Sequence, residues 1–218
     1  AANAMALYMG LVEPQYEEVV LKNLIDDIRG RGNAVTAGDI GYRYVVQALL
    51  DNGASDVLFD MNSRYDVPGY GYQLACGETA LAESWMSKDY LSHNHCMLGH
   101  LYSWLFNGLG GLSQAPGSVG YKEVVIDPQV VGDIRSARVA FESPYGLIRS
   151  EWNDTPQTFR QTVEIPGNAS ALVYLPTADP EAISENGQPL DRIEGITVER
   201  KGDRTVLHIG SGVYNFSV

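Results

Sequence analysis

The sequence predicts an α-then-β chain, a set of helical hairpins followed by an antiparallel β-sandwich. Three observations carry this reading. Apolar residues recur with a period near 3.6 from Ala1 to about Leu112, they alternate with a period of 2.0 beyond it, and the change falls in a glycine-rich stretch, Gly108-Leu-Gly-Gly-Leu112. Two domains are therefore expected, residues 1–112 and residues 113–218.

Within the first part, residues 13–30 set Tyr16, Val20, Leu24 and Ile28 four apart, with Leu21 and Ile25 widening the stripe and Glu17, Glu18 and Asp26 falling mostly off it. Pro14 suits a first turn and Gly30 a stop. Further helices are expected at about 2–11, 37–51, 54–63, 77–86 and 93–108, with Thr36 a candidate cap or pocket rim for the second of these. Short links such as Gly30-Arg31-Gly32-Asn33 imply antiparallel hairpins.

In the second part, eight runs have strand length and strand composition: KEVVID, ARVAFES, GLIRSEW, FRQTVEIP, SALVYLP, GITVER, RTVLHIG and GVYNFSV. Pro166-Gly167-Asn168 and Glu185-Asn186-Gly187-Gln188 are turn signals between them. Many short strands with such turns argue for an antiparallel sandwich.

Composition narrows the function classes. The formal charge of −12 repels phosphate backbones and anionic lipid, so neither nucleic acid nor a membrane is an expected partner. Apolar residues at 44% suffice for an ordinary core. The apolar stretches are too short to cross a bilayer, and the first residues lack the pattern of a signal peptide. The helical region begins without a convincing cap, as if mid-helix, which marks the chain as the C-terminal piece of something longer; the compartment stays open. Cys76 and Cys96 are too few for a disulfide scaffold or a four-thiolate zinc site, and buried apolar filler is the usual fate of free cysteine.

The chemistry concentrates between Tyr70 and Trp104. On one regular helix, Glu78 and Glu83, five residues apart, would point about 140° from each other, so a working carboxylate there needs a partner from elsewhere in the fold. Glu83, beside Leu81, Ala82 and Trp85, is the candidate for a partly desolvated carboxylate, against the alternative of a surface helix glutamate. His93, His95 and His100 lack the i, i+4 spacing of paired metal ligands, and no metal or cofactor is expected. Ser92 or Asn94 is instead a candidate helix cap, with His95 in the core or facing a pocket. Tyr70 and Tyr72, in the loop before Gly77, are candidates to stack on a ligand, with core packing as the alternative. No nucleophile elbow, phosphate-binding loop or dinucleotide fingerprint is present.

Taken in order, GNAVTAGDIGYRYVVQAL, DNGASDVLFDM, GYGYQLACGETALAESW, SHNHCMLGHLYSWLF, GYKEVVIDPQ, AFESPYGLIRSEW and SGVYNFSV resemble the C-terminal part of the α-L-rhamnosidases of glycoside hydrolase family 78, over essentially the whole chain. The resemblance implies an inverting hydrolase with an (α/α)6-barrel catalytic domain and a C-terminal β-sandwich, so that residues 1–112 would be the second half of the barrel. GETALAESW resembles the family's G-x-T-T-x-W-E-x-W, which puts the general base on Glu83. SHNH resembles its S-x-N-H, which makes His95 a sugar contact and Asn94 its support. Ala82 stands where the family usually has Trp, Ala80 stands for the second Thr, and the link from Glu83 to His95 is short. By the same resemblance the substrate is a rhamnoside, and the general acid and the rest of the catalytic domain lie upstream of residue 1. The competing readings are a non-catalytic saccharide-binding or structural fragment, and another inverting (α/α)6-barrel glycosidase.

Overall fold

A computed structural model describes residues 1–218 as two compact units, Ala1–Leu105 and Phe106–Val218. No helix in it is long and apolar enough to cross a membrane.

The first unit is built on helices α1 (Ala2–Tyr8), α2 (Glu17–Gly30), α3 (Asp39–Asp51), α4 (Ser55–Asn62) and α5 (Tyr70–Ala75). α2 buries Leu24 and Ile28 from its apolar stripe and leaves Glu17, Glu18 and Asp26 in solvent; Pro14 and Tyr16 form a separate 3-10 turn ahead of it. α3 is the central helix, burying Tyr42, Val45, Val46, Ala48, Leu49 and Leu50, and α1 packs against both α2 and α3. α3 and α4 form a hairpin through Asn52-Gly53-Ala54, where Gly53 takes φ +67°. Arg29 on α2 ties to α4 through Asp56 at 3.0 Å and through Asp60.

Two helices expected from periodicity do not form as such. Residues 77–86 contain no helix, because Gly77 turns the chain at φ +83° and the backbone polar groups beyond it bond to partners outside any i→i+4 ladder. The stretch 93–108 breaks into a 3-10 turn (Cys96–Leu98), one α-helical turn (Leu101–Ser103) and a π turn (Trp104–Leu109). Trp104 is fixed by its indole N–H on the Ser55 hydroxyl at 3.0 Å. Neither Ser92 nor Asn94 caps a helix; the 3-10 turn starts from His95 with no side-chain cap. Thr36 caps nothing either, since α3 starts from Gly38. Both cysteines are exposed rather than buried.

The second unit contains eleven strands: β1 (Leu112–Gln114), β2 (Glu123–Ile126), β3 (Ser136–Ser143), β4 (Gly146–Asp154), β5 (Phe159–Ile165), β6 (Ser170–Leu175), β7 (Ser184–Glu185), β8 (Gln188–Pro189), β9 (Thr197–Lys201), β10 (Arg204–Ile209) and β11 (Gly212–Ser217). The sheets have the orders β1-β2-β6-β10-β9 and β3-β4-β5-β11-β7-β8. All pairings are antiparallel except β2 with β6, which run parallel with Val124 opposite Ala171. The eight runs read from the sequence correspond to β2–β6 and β9–β11; the three short strands are additions.

Inward positions alternate as a half-buried strand requires: Phe159, Gln161, Val163 and Ile165 on β5, and Ala171, Val173 and Leu175 on β6. One apolar cluster takes residues from both sheets, which makes the pair a sandwich. At its centre Trp152 stacks on Phe159 at 6.1 Å between ring centroids and donates its indole N–H to the Leu109 carbonyl at 2.6 Å. Gly111, at φ +70°, is there because a Cβ would meet the Pro128 nitrogen at 2.3 Å.

Candidate active site

The segment that carries the candidate residues is anchored on aromatic rings. Tyr42 of α3, Tyr70 of α5 and Trp85 pack edge to face or tilted at 5.0–6.0 Å between centroids, and the Trp85 indole N–H donates to the Ala37 carbonyl at 2.8 Å. The Tyr70 hydroxyl donates to the Leu98 carbonyl, so this residue joins α5 to the chain after the site. Burial pushes the Tyr42 and Tyr70 hydroxyl pKa values up, and both stay neutral. α5 can lie this close to the preceding loop because residue 71 is glycine: a Cβ there would sit 2.0 Å from the Arg64 carbonyl oxygen.

Residues 77–95 then run as an irregular ribbon. The Glu83 N–H donates to the Ser92 carbonyl at 2.7 Å, and the His95 N–H donates to the Leu81 carbonyl at 2.7 Å. Glu83 and His95 therefore stand on adjoining strands of one backbone ribbon, not on a helix, and the expectation that Glu78 and Glu83 diverge around a helix axis does not apply. The Glu83 side chain is exposed rather than desolvated, and its Oε2 accepts the Ser92 N–H at 3.1 Å.

Three sets of contacts that the sequence did not reveal hold this ribbon. The amide of Gln73, on α5 and 3% exposed, donates through Nε2 to the carbonyls of Ala82 at 3.1 Å and Ser84 at 3.0 Å, and its Oε1 accepts the Ala82 N–H at 3.3 Å. Glu78 accepts from the Ser87 hydroxyl and from His93 Nδ1 at 2.7 Å. The Ser87 and His93 contacts hold the Glu78 carboxyl below the usual range, and Glu78 in turn raises the His93 imidazole. Asp39, the first residue of α3, meets His95 Nε2 at 3.3 Å. Its carboxyl is held below the usual range first by the Ile40 N–H and then by His95.

Of the residues singled out from the sequence, Glu83, Asn94 and His95 lie on the ribbon, Asn94 being exposed with its N–H on the Ser92 hydroxyl at 3.2 Å. Tyr70 is turned into the aromatic cluster, and Tyr72, two residues further along α5, is half-buried. Nearby, burial first and the Arg43 charge second push the His100 imidazole pKa down. No group of three or more His, Cys, Asp or Glu side chains converges as a metal site. Gln73 had no sequence signal, because a single glutamine in an apolar stretch reveals nothing of what its amide will meet.

The arrangement offers one carboxylate with an engaged oxygen and a second oxygen without a protein partner, on the same ribbon as a histidine that meets an aspartate. Such a pair can take a proton from water and hold a hydroxyl group. The family profile described as the bacterial alpha-L-rhamnosidase 6 hairpin glycosidase domain matches residues 1–109, and that of the bacterial alpha-L-rhamnosidase C-terminal domain matches residues 111–189. An alpha-L-rhamnosidase of Streptomyces avermitilis is 27% identical over 100% of the chain and 21% of its own length, and one of Formosa agariphila is 29% identical over 98% of the chain and 23% of its own. Among solved structures, the Streptomyces avermitilis alpha-L-rhamnosidase complexed with L-rhamnose superposes with a TM-score of 0.88 over 100% of this chain and 21% of that one. The alpha-L-rhamnosidase from Dictyoglumus thermophilum gives 0.88 at 27% identity over 99% and 25%. The chain spans about a fifth to a quarter of the length of these relatives.

Proposed function

The chain belongs to the bacterial α-L-rhamnosidase family, and on that premise we propose that the protein carrying it hydrolyses terminal α-L-rhamnosides with inversion, Glu83 acting as general base and His95 as a contact to the bound sugar. The observation that carries this reading is the exposed Glu83 carboxylate, fixed at one oxygen by the Ser92 N–H on a ribbon anchored to buried rings.

Inversion needs a base that takes a proton from the attacking water on one face of the sugar, and an acid that protonates the leaving oxygen on the other, with carboxyls roughly 6.5–9.5 Å apart. The acid is assigned to a residue outside these 218. The Asp39 carboxylate orients the His95 imidazole, which leaves the ring's other nitrogen for a sugar hydroxyl. Asn94, next to it, is the supporting polar group. A 6-deoxyhexose carries no charge, so the site needs hydrogen-bonding groups and an apolar wall rather than a charge clamp.

The test uses the full-length protein and an aryl α-L-rhamnoside. Glu83→Gln lowers kcat by at least about 100-fold with little change in KM, since losing general-base help typically costs on the order of 10² to 10⁴ in rate. His95→Ala raises KM and lowers kcat together, because its contact exists before the transition state as well as in it. Nuclear magnetic resonance of the first-formed product reads the anomer directly. A Glu83→Gln enzyme with near wild-type kcat overturns the base assignment, and a retained anomer overturns the inverting route.

A further inference from the structure

Glu83 lies in a segment with no helix or sheet ladder of its own, yet a general base loses much of its value when displaced by an ångström or so. Something outside the ribbon must therefore set the direction of its Cα–Cβ bond. We propose that Gln73 is the positioning residue for the base: its buried amide bonds the residue before Glu83 and the residue after it, and so holds the peptide that leads into Glu83 and the carbonyl of the residue that follows it. This rests on the assignment of Glu83 as base.

The bonding pattern is specific to an amide. Two donors from Nε2 go to the carbonyls of Ala82 and Ser84, and one acceptor site on Oε1 takes the Ala82 N–H. No bond goes to Glu83 itself, whose N–H is taken by Ser92. The peptide joining Ala82 to Glu83 is pinned at its carbonyl by Gln73 and at its N–H by the Ser92 carbonyl, and the chain is held again at the Ser84 carbonyl, so the Glu83 Cα has little freedom to shift. Gln73 is itself immobile, because it is 3% exposed and belongs to α5, which is fixed by Tyr70 on the Leu98 carbonyl. Its own carbonyl accepts the Glu78 N–H at 3.0 Å, so the same residue also starts the ribbon. A carboxylate at 73 would lack both donors, and a thioether would lack all three bonds while matching the length. Ala82 and Ser84 would then have buried polar groups without partners and the segment would move to satisfy them.

His95 is held differently, by Asp39 on α3, so ground-state sugar binding should survive the loss of the clasp. In the full-length protein, assayed on an aryl α-L-rhamnoside, Gln73→Met should lower kcat by about 10- to 100-fold with KM within about threefold of wild type. A purely structural role would predict a similar split only by accident, so the discriminating measurement is a double-mutant cycle with Glu83→Gln. If Gln73 acts through the base, adding Gln73→Met to the Glu83→Gln enzyme costs less than about threefold. An equal cost in both backgrounds, or a folded Gln73→Met enzyme with wild-type kcat, overturns the proposal. If circular dichroism shows Gln73→Met unfolded, Gln73→Asn, which keeps the amide one methylene short, carries the same cycle; if both are unfolded, Gln73 is a folding residue and the proposal fails. Should Glu83→Gln alone keep its activity, the base assignment falls and takes this inference with it, whereas a dead Glu83→Gln enzyme with an indifferent Gln73 sinks the inference alone.

Discussion

Glu78 and His93 form an ion pair that spans the ribbon, and each stabilises the charged form of the other, with the Ser87 hydroxyl the larger influence on Glu78. The glutamate pKa is lowered by folding, so its contribution is present above its ordinary value of about 4.5 and fades as pH falls through the lowered one. The imidazole pKa is raised, so its contribution is complete below its ordinary value of about 6.5 and is lost as pH rises through the raised one. The ribbon is therefore held best between those two ordinary values and loosens on the alkaline side. Glu78→Gln should bring the His93 titration midpoint down, as followed by the imidazole proton resonances, and an unmoved midpoint would show that Glu78 is not the partner that matters. A neighbouring contact sets a second expectation. Trp85→Phe keeps the ring but leaves the Ala37 carbonyl without its donor, and should cost on the order of 1–3 kcal/mol by denaturant titration.

The same turn-forming residue has different consequences in different elements. Asn186 and Gly187, at φ +48° and +79°, make the two-residue turn between β7 and β8, and Gly187 has open space where a Cβ would go. Gly187→Ala should then cost only the left-handed backbone term of about 1–2 kcal/mol. Gly111→Ala adds a backbone clash to the same term and should cost clearly more, which urea titration of the two variants would show; equal costs would mean that the chain at Gly111 yields easily. Elements with a strict period were legible in the sequence: the α2 stripe, α3, and the eight longer strands, with alternation and burial coinciding most closely in β5 and β6. The Asn-Gly turn was legible too, because its conformation is a local property of those two residues. The ribbon at 77–95 was not, because its backbone bonds are made to a side chain on α5 and to its own return strand, and such partners leave no periodic trace. Motif order located Glu83 and His95 without giving their conformation, and nothing local distinguished Gln73 from any other glutamine.

At the scale of the molecule, the two units differ in how well they cover their own apolar groups. Large exposed hydrophobic residues gather in the first, among them Met9, Leu11, Tyr16, Ile40, Leu74, Tyr90 and Tyr102, while Val119, Tyr145, Val198 and Val213 are those of the second. A hydrophobic dye should accordingly bind the 218-residue chain far more than a chain of residues 106–218, and equal binding would contradict the asymmetry. The 218-residue chain by itself should turn over no aryl rhamnoside, because a base without its acid leaves the departing oxygen unprotonated; measurable inverting hydrolysis would relocate the acid to within the chain. The parallel pairing of β2 with β6 bears on the order in which the sandwich is assembled during synthesis. β2 leaves the ribosome able to pair with β1 on one edge only, and its other edge waits for β6, whose Ser170 pairs with Glu123 and so lies 170 − 123 = 47 residues later, while the intervening β3, β4 and β5 join the opposite sheet. At roughly 5–20 residues per second, the nascent chain carries an open, apolar strand edge for about 2–9 s. That interval, rather than any property of the finished protein, is when this domain is most exposed to pairing with a neighbouring copy on the same messenger.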